Sequence, residues 1–377
     1  MSSSCDAAAE RLAGKLGFSC HDAHPIVTFR NPFGLENGTM PFLELLIIGG
    51  AVFALVHAWR RWRRDGDPVN ISLWFASLVY LAVIEPPLYF PGWFGLEKQV
   101  GMIFSHNVFS VQFMYDRLPL YIVAFYPALS QLAYEVVRAL GVFARRGLLL
   151  GSLAVAFTCQ VFYEIFDQLG PQLKWWAWNP GNEMINKPSL ASVPMNSMFL
   201  FASVSFGAMT YLVGRLVGAK DGRGTLSGRR ISLRTVAVGV LTPLAMSVAG
   251  VPSNAFRGGG HLGIQQAIIG AELALVWLVG LCLLADAWRA RRTDPAPVPA
   301  ASSLFARIYP ALYLGVHIVF WLIALPAYFA ATNGITEHGT PIGSLWYAVL
   351  CALAATGLIV AVLRATVSRR ASEPVRS

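Results

Sequence analysis

Three acidic residues lie within or at the ends of apolar runs, and these are the first candidates for chemistry. Glu85 follows one apolar run, and Glu164 and Asp167 close another run that is rich in aromatic residues. An ionisable side chain at membrane depth is costly and usually marks a functional site. Glu164 and Asp167 are three residues apart, so a helix would place them on one face. We predict that at least one of these acids lines a polar cavity.

Two connecting segments add polar and aromatic side chains close to these acids. Residues 90–117 are too polar at His106 and Asn107 for a clean span and too apolar for a free loop, which favours a re-entrant or interfacial segment. Three tryptophans follow Asp167 within a short stretch: Trp175, Trp176 and Trp178. Tryptophans of this kind either line a site or form the aromatic belt at the membrane surface. The sequence leaves both interpretations open.

Metal and cofactor motifs are weak or missing in the sequence. The pair His21 and His24 has a metal-like spacing but no helix context, and neither His-Glu-x-x-His nor Cys-x-x-Cys occurs. No phosphate-binding loop or Gly-x-Ser-x-Gly element is present. We therefore expect no metal and no cofactor. Cys5 and Cys20 lie in the same N-terminal segment, where either a disulfide or two free thiols are compatible with the sequence.

The elements that must position these residues are membrane helices. Of the 377 residues, 55% are hydrophobic and 13% are charged, whereas soluble proteins carry about 25% charged residues. This composition excludes disordered, collagen-like, coiled-coil and small disulfide-rich chains. Nine apolar runs reach the length of about 20 residues that a spanning helix needs: 41–59, 70–89, 118–141, 147–168, 192–217, 235–252, 263–287, 305–331 and 343–364. The sequence predicts an all-α, polytopic integral membrane bundle of about nine transmembrane helices.

The positions of the basic residues predict the orientation of this bundle. Most of the 29 lysines and arginines lie in alternate connections and in the tail, beginning with the run from Arg60 to Arg64. Cytoplasmic loops are rich in Lys and Arg, so the N-terminus is expected outside the cell and the C-terminus in the cytoplasm. The membrane is expected to be a bacterial plasma membrane. The net charge of +9 is then explained by the Lys and Arg residues that the cytoplasmic loops carry. We expect contact with anionic inner-leaflet lipids at the basic loops and no nucleic-acid partner.

The apolar runs and the connections between them divide the chain into five parts. A short amphipathic helix is also predicted over residues 6–17. The Pro- and Ala-rich stretch before the last two spans is typical of a flexible linker. The predicted parts are an extracytoplasmic extension (1–40), a seven-span core (41–292), a cytoplasmic linker (293–304), a C-terminal transmembrane hairpin (305–364) and a cytoplasmic tail (365–377).

Three stretches in the first half of the chain follow the order of a known family. An aromatic segment with Tyr115 precedes a helix that carries Pro127. A helix that ends in Asp167 then leads to Trp176-Ala177-Trp178, and Pro194-Met195-Asn196 opens the next span. Over about residues 75–215, this order resembles the membrane-integral carotenoid hydratases of the bisanhydrobacterioruberin-hydratase type.

The resemblance implies a chemistry and a set of roles. Acid-initiated hydration of an isoprenoid alkene needs a protonated carboxylic acid, aromatic faces that stabilise a cation, and a polar side chain that holds water. Either Asp167 or Glu164 would supply the acid, and Asn196 would hold the water. Glu85 is a further catalytic candidate. The substrate would contact His106, Asn107, Tyr115, Trp175, Trp176 and Trp178. The same groups would also serve a terpenoid cyclase.

Two other classes of function fit the sequence. Acids in a membrane bundle also relay protons or bind cations in transporters, so a proton-coupled or lipid-handling transporter is the first alternative. A non-catalytic membrane scaffold subunit is the second. The oligomeric state is not determined by these patterns.

Overall fold

The computed structural model describes residues 5–218, 227–258, 260–293 and 303–370. Most of the predicted linker over 293–304 and the last part of the predicted tail, residues 371–377, lie outside these ranges. The helices are α1 (Ala7–Leu16), α2 (Thr39–Asp65), α3 (Val69–Tyr89), α4 (Leu120–Ala139), α5 (Val142–Asp167), α6 (Glu183–Asn186), α7 (Phe206–Leu216), α8 (Gly228–Ala249), α9 (Val251–Asn254), α10 (Leu262–Thr293), α11 (Leu304–Ala330) and α12 (Leu345–Arg370). A π-helical stretch, Ser197–Ser205, precedes α7.

Within the described ranges, nine helices are long and apolar enough to cross a membrane. They correspond to the nine runs of the sequence, with the π-helical stretch and α7 together forming the fifth. A helix satisfies its own backbone hydrogen bonds, as the hydrocarbon core of a bilayer requires. The prediction of an all-α polytopic membrane bundle is therefore confirmed, and the chain is a multi-pass membrane protein.

The third span, α4, lies at the centre of the bundle and is almost entirely buried. It packs against α2, α3, α5 and α11. The α5 helix carries α10 and α12 on its other side, and α8 packs against α3 and α7. The last two spans thus contact the same central helices as the first spans.

Short strands connect the spans on the face of the bundle where the N-terminal segment lies, here called the N-terminal face. The strands are β1 (Val27–Phe29), β2 (Phe104–His106), β3 (Val111–Phe113), β4 (Leu118–Pro119), β5 (Trp176–Trp178), β6 (Ser189–Leu190) and β7 (Val193–Pro194). All pairs are antiparallel: β3 pairs with both β1 and β4, β2 pairs with β5, and β6 pairs with β7. Residues 90–117 therefore contain two of these strands, β2 and β3, and no α-helix.

The β2–β5 pair is covered by the amphipathic helix α1, which confirms the helix predicted over residues 6–17. The buried face of α1 consists of Ala9, Leu12, Ala13 and Leu16, and this helix contacts β2 and β5. A disulfide joins Cys5 and Cys20, one on each side of α1. We call the β2–β5 pair with α1 the roof.

A buried ionic network lies at the opposite end of α4. Glu135 is fully buried, and Arg138 donates two hydrogen bonds of 2.8 Å to its carboxylate. Asn70 and Ser303 donate to the same carboxylate at 2.9 and 2.7 Å, and Nε2 of His57 lies 3.1 Å from it. The network connects α2, α3 and α4 with the start of α11, and it contains the Glu135–Arg138 pair that the spacing of three residues predicts.

Candidate active site

A narrow cavity lies beneath the roof, between α3, α4, α5 and the fifth span. Its volume is about 100 Å³, which is room for several water molecules. Its wall consists mainly of aromatic and aliphatic side chains, with a few polar groups among them. The lining residues are Tyr80, Glu85, Leu88, Ile103, Phe104, His106, Ile122, Phe125, Tyr126, Tyr163, Phe166, Asp167, Trp176, Trp178, Ile185, Asn186, Asn196, Ser197, Phe201 and Phe206.

Two carboxyl groups, those of Glu85 and Asp167, line this cavity from different helices. Glu85 accepts a hydrogen bond from the hydroxyl of Tyr126, and Asp167 accepts one of 3.2 Å from Ser197. Among the described residues, no Lys, Arg or His nitrogen lies within 4.0 Å of either carboxyl. Both acids therefore rely on hydroxyl donors rather than on a cation.

The aromatic side chains of the roof face the cavity because side chains alternate between the two faces of a β-strand. Side chains two residues apart in a strand point to the same face. His106 is opposite Trp176, and Phe104 is opposite Trp178, so all four face the cavity. Between them, Ala177 packs towards α1 on the other face. The Trp-x-Trp spacing thus presents two indole rings to one cavity.

Several polar atoms of the lining have no hydrogen-bond partner within the described part of the chain. These atoms are Oε2 of Glu85, Nε1 of Trp176, Nε1 of Trp178, Oδ1 of Asn186 and Oδ1 of Asn196. Buried polar atoms in native proteins are normally paired with protein or water. The donors and acceptors around this cavity thus match a polar ligand or bound water inside it.

The side-chain amides of Asn186 and Asn196 are held so that their oxygen atoms remain available. Asn186 donates at 2.8 and 2.9 Å to the carbonyl oxygens of Ile103 and Asn179. Asn196 donates at 3.2 Å to the carbonyl oxygen of Ile185. With the amide NH₂ groups engaged by backbone, each side chain presents an acceptor.

Six of the ten residues predicted for the site meet at this cavity: Asp167, Glu85, Asn196, His106, Trp176 and Trp178. Four do not line it. Glu164 accepts a 3.0 Å hydrogen bond from Gln168, which in turn binds the backbone N–H of Ser344 before α12. Asn107 donates at 2.8 Å to the carbonyl oxygen of Lys174, a contact that fixes the connection.

The other two lie beside the cavity rather than in it. The ring of Tyr115 is 5.9 Å from that of Trp93 near the end of α3. Trp175 is completely buried, and its Nε1 donates at 3.0 Å to the hydroxyl of Thr39. The next residue, Trp176, points into the cavity, since adjacent residues at a strand point to opposite faces.

The residues that sequence reasoning missed are mainly hydroxyl and amide groups on the spans. They are Tyr80, Tyr126, Tyr163, Asn186 and Ser197. Tyr163 precedes Asp167 by four residues and is therefore about 40° from it around a helix, closer than Glu164 at about 60°. This helical spacing is the sequence signal that could have identified Tyr163 as a neighbour of Asp167.

The imidazole of His106 is expected to make the roof sensitive to acid. Burial lowers the pKa of His106 to about 3, whereas an exposed histidine titrates near 6.5. The unfolded roof therefore takes up a proton first as the pH falls below about 6.5, and the stability of the folded roof decreases by up to ~1.4 kcal/mol per pH unit until about pH 3. Hydrogen exchange of β2 and β5 between pH 7 and pH 4 measures this loss.

The matched variant is His106→Asn, which keeps a polar side chain without a titrating ring. We expect its roof to lose less protection over the same pH range than that of the original chain. An unchanged pH dependence in the variant would assign the effect to another group.

Gly170 sets the position of the Trp176 ring. A Cβ atom at residue 170 would lie 2.0 Å from Cη2 of Trp176, so Gly170→Ala must displace the indole from the cavity wall. We expect quenching of tryptophan fluorescence by a small apolar quencher to increase, because the displaced indole is less shielded. Gly181→Ala is the control, since a Cβ atom there would make only an ordinary contact of 3.4 Å with Oδ1 of Asn179. Equal quenching in both variants would contradict this role.

Comparison of the chain with known protein families, curated proteins and solved structures gives no match.

Proposed function

We propose that this protein is a membrane enzyme that adds water to, or cyclises, an isoprenoid or carotenoid-type lipid after protonating one of its alkenes. The observation that carries the proposal is the composition of one cavity. Two carboxyl groups without a nearby cation, an aromatic wall and unpaired polar atoms lie together at the ends of the spanning helices, beneath the roof. Each component of acid-initiated alkene chemistry has a residue there.

The first step of the proposed hydration assigns the proton to Asp167. The O–H bond of its carboxylic acid breaks, and the π electrons of the alkene form the new C–H bond. The more substituted carbon becomes a tertiary cation, and Asp167 becomes a carboxylate. Apolar surroundings favour a neutral acid before this step, and Ser197 holds the carboxyl group in place.

The second step captures the cation. The faces of Trp176, Phe166 and Phe125 stabilise positive charge through their π electrons. A water molecule held by Oδ1 of Asn196 and by Oε2 of Glu85 forms the new C–O bond. One of its protons returns to Asp167, so the enzyme is restored and the net reaction is alkene plus water to tertiary alcohol.

Lipid analysis of cells tests the proposal. Lipids extracted from cells with and without the protein are compared by chromatography and mass spectrometry. A species heavier by one water that requires the protein supports a hydratase, and a new isomer of unchanged mass supports a cyclase. An identical lipid profile in both cultures would contradict enzymatic action on lipids and favour transport or a scaffold role.

The proposal also includes the orientation that the basic residues predict. The cavity then lies towards the outer leaflet of a bacterial plasma membrane, and the basic connections face anionic lipids of the inner leaflet. Alkaline phosphatase fused after Ser377 should be inactive, and a cytoplasmic reporter fused there should be active. The opposite pattern would reverse the orientation.

A further inference from the structure

A second, larger concavity lies between α2 and α11 on the lateral surface of the bundle. This groove has a volume of about 1000 Å³ and shares no lining residue with the cavity. Its sides are apolar, with Phe42, Leu45 and Phe53 on α2 and Leu312, Val319 and Ile323 on α11. Trp175 separates the two spaces, since its ring packs against Phe166 of the cavity and Phe320 of the groove.

The groove is amphiphilic along its length. Its end at the N-terminal face carries Glu36 and Lys174, which form an ion pair of 2.5 Å, together with Gln172, His338 and Thr340. Both members of the ion pair are partly exposed, with side-chain exposures of 32% and 26%. A charged end above an apolar channel matches a molecule with a polar head and a hydrocarbon tail.

The depth of the groove fits one leaflet of a bilayer. From Thr39 to Phe53 the α2 helix advances roughly 21 Å, at 1.5 Å per residue. One leaflet contributes about 15 Å of hydrocarbon, and the headgroup region adds several ångströms. A groove of this length can reach from the headgroup region to about the middle of a bilayer.

Two adjacent glycines keep the groove open in different ways. A Cβ atom on Gly50 would lie 2.1 Å from the ring of Tyr309, so Gly50 permits the close approach of α2 and α11. A Cβ atom on Gly49 would meet nothing within 4 Å, because Gly49 faces the open part of the groove. A side chain at residue 49 would therefore enter the groove with its Cβ atom free of the protein.

We propose that this groove binds one glycerophospholipid with an ethanolamine headgroup from the leaflet at the N-terminal face. The headgroup carries a phosphate and an ammonium, which are complementary to Lys174 and Glu36 respectively. The ammonium donates hydrogen bonds to the carboxylate of Glu36, and a fatty acyl chain lies along α2. This site is independent of the proposed enzymatic function.

The experiment counts lipids on the purified full-length protein. The protein is extracted in mild detergent, and native mass spectrometry follows titration with dioleoyl phosphatidylethanolamine. The test variant is Gly49→Leu, and the control is Gly263→Leu, at an exposed glycine near the start of α10 that has equally open surroundings and lies outside the groove. We expect at least a tenfold loss of one tightly bound lipid in Gly49→Leu and no loss in Gly263→Leu. Equal binding by both variants would overturn the site.

A second measurement tests the headgroup and does not depend on filling the groove. Dioleoyl phosphatidylcholine carries the same charges, but its methylated ammonium cannot donate a hydrogen bond, and dioleoyl phosphatidylglycerol has no ammonium. We expect ethanolamine lipid to bind most tightly, and Glu36→Gln to remove at least a fivefold preference over choline lipid. Equal binding of the three lipids to the original chain would overturn the headgroup assignment, whatever the outcome of the enzymatic test.

Discussion

Under the proposed function, Asp167→Asn is expected to lower the amount of hydrated or cyclised lipid at least 100-fold, while the protein remains in the membrane. The amide cannot donate a carboxylic acid proton, and general acid catalysis is worth about 10²–10⁴ in rate. The substitution preserves size and leaves Ser197 with an oxygen acceptor. The measurement is the ratio of product to precursor lipid in cells that carry equal amounts of protein.

Two further variants make this result specific. Glu337→Gln removes a carboxylate with 73% side-chain exposure in the connection between α11 and α12, and it should leave the lipid ratio unchanged. Glu164→Gln distinguishes the two acids at the end of α5. If Asp167→Asn forms product normally and Glu164→Gln does not, the proton donor has been assigned to the wrong residue.

Arg138→Met is expected to destabilise the bundle by about 3–5 kcal/mol. It leaves the completely buried carboxylate of Glu135 without its two guanidinium hydrogen bonds, and an unpaired buried charge costs about this much. Thermal unfolding of the purified protein in detergent measures the effect.

The double variant Glu135→Leu with Arg138→Met provides the control. Replacing both partners of a buried ion pair with apolar residues is often neutral or stabilising, so most of the lost stability should return. A single variant as stable as the original chain would show that Asn70, His57 and Ser303 suffice to hold the Glu135 carboxylate.

The membrane helices could be predicted from the sequence because their requirement is simple. About 20 apolar residues must satisfy their own backbone in a bilayer, and each of the nine runs does so. The residues at which the helices end could be predicted less precisely. The first spanning helix, α2, continues through the basic run to Asp65, because charged residues beyond the apolar run can remain helical although they end the apolar signal.

The site could be predicted only in part because strand geometry decides which side chains enter it. The sequence indicated an interfacial or re-entrant segment before the third span, and it did not predict the pairing of β2 with β5. That pairing turns Trp176 and Trp178 into the cavity and leaves Trp175 outside. Likewise, Asp167 and Glu164 looked equivalent by spacing, and only the packing around α5 separates them.

The roof has a consequence for the order in which a growing chain acquires its cavity. Its parts come from before the first span, from between the second and third spans, and from between the fourth and fifth spans. A ribosome must therefore deliver four spans and the following connection before β5 can pair with β2. Until then the cavity that Glu85 lines has no roof. A chain truncated before Trp178 would therefore insert four helices without closing the cavity.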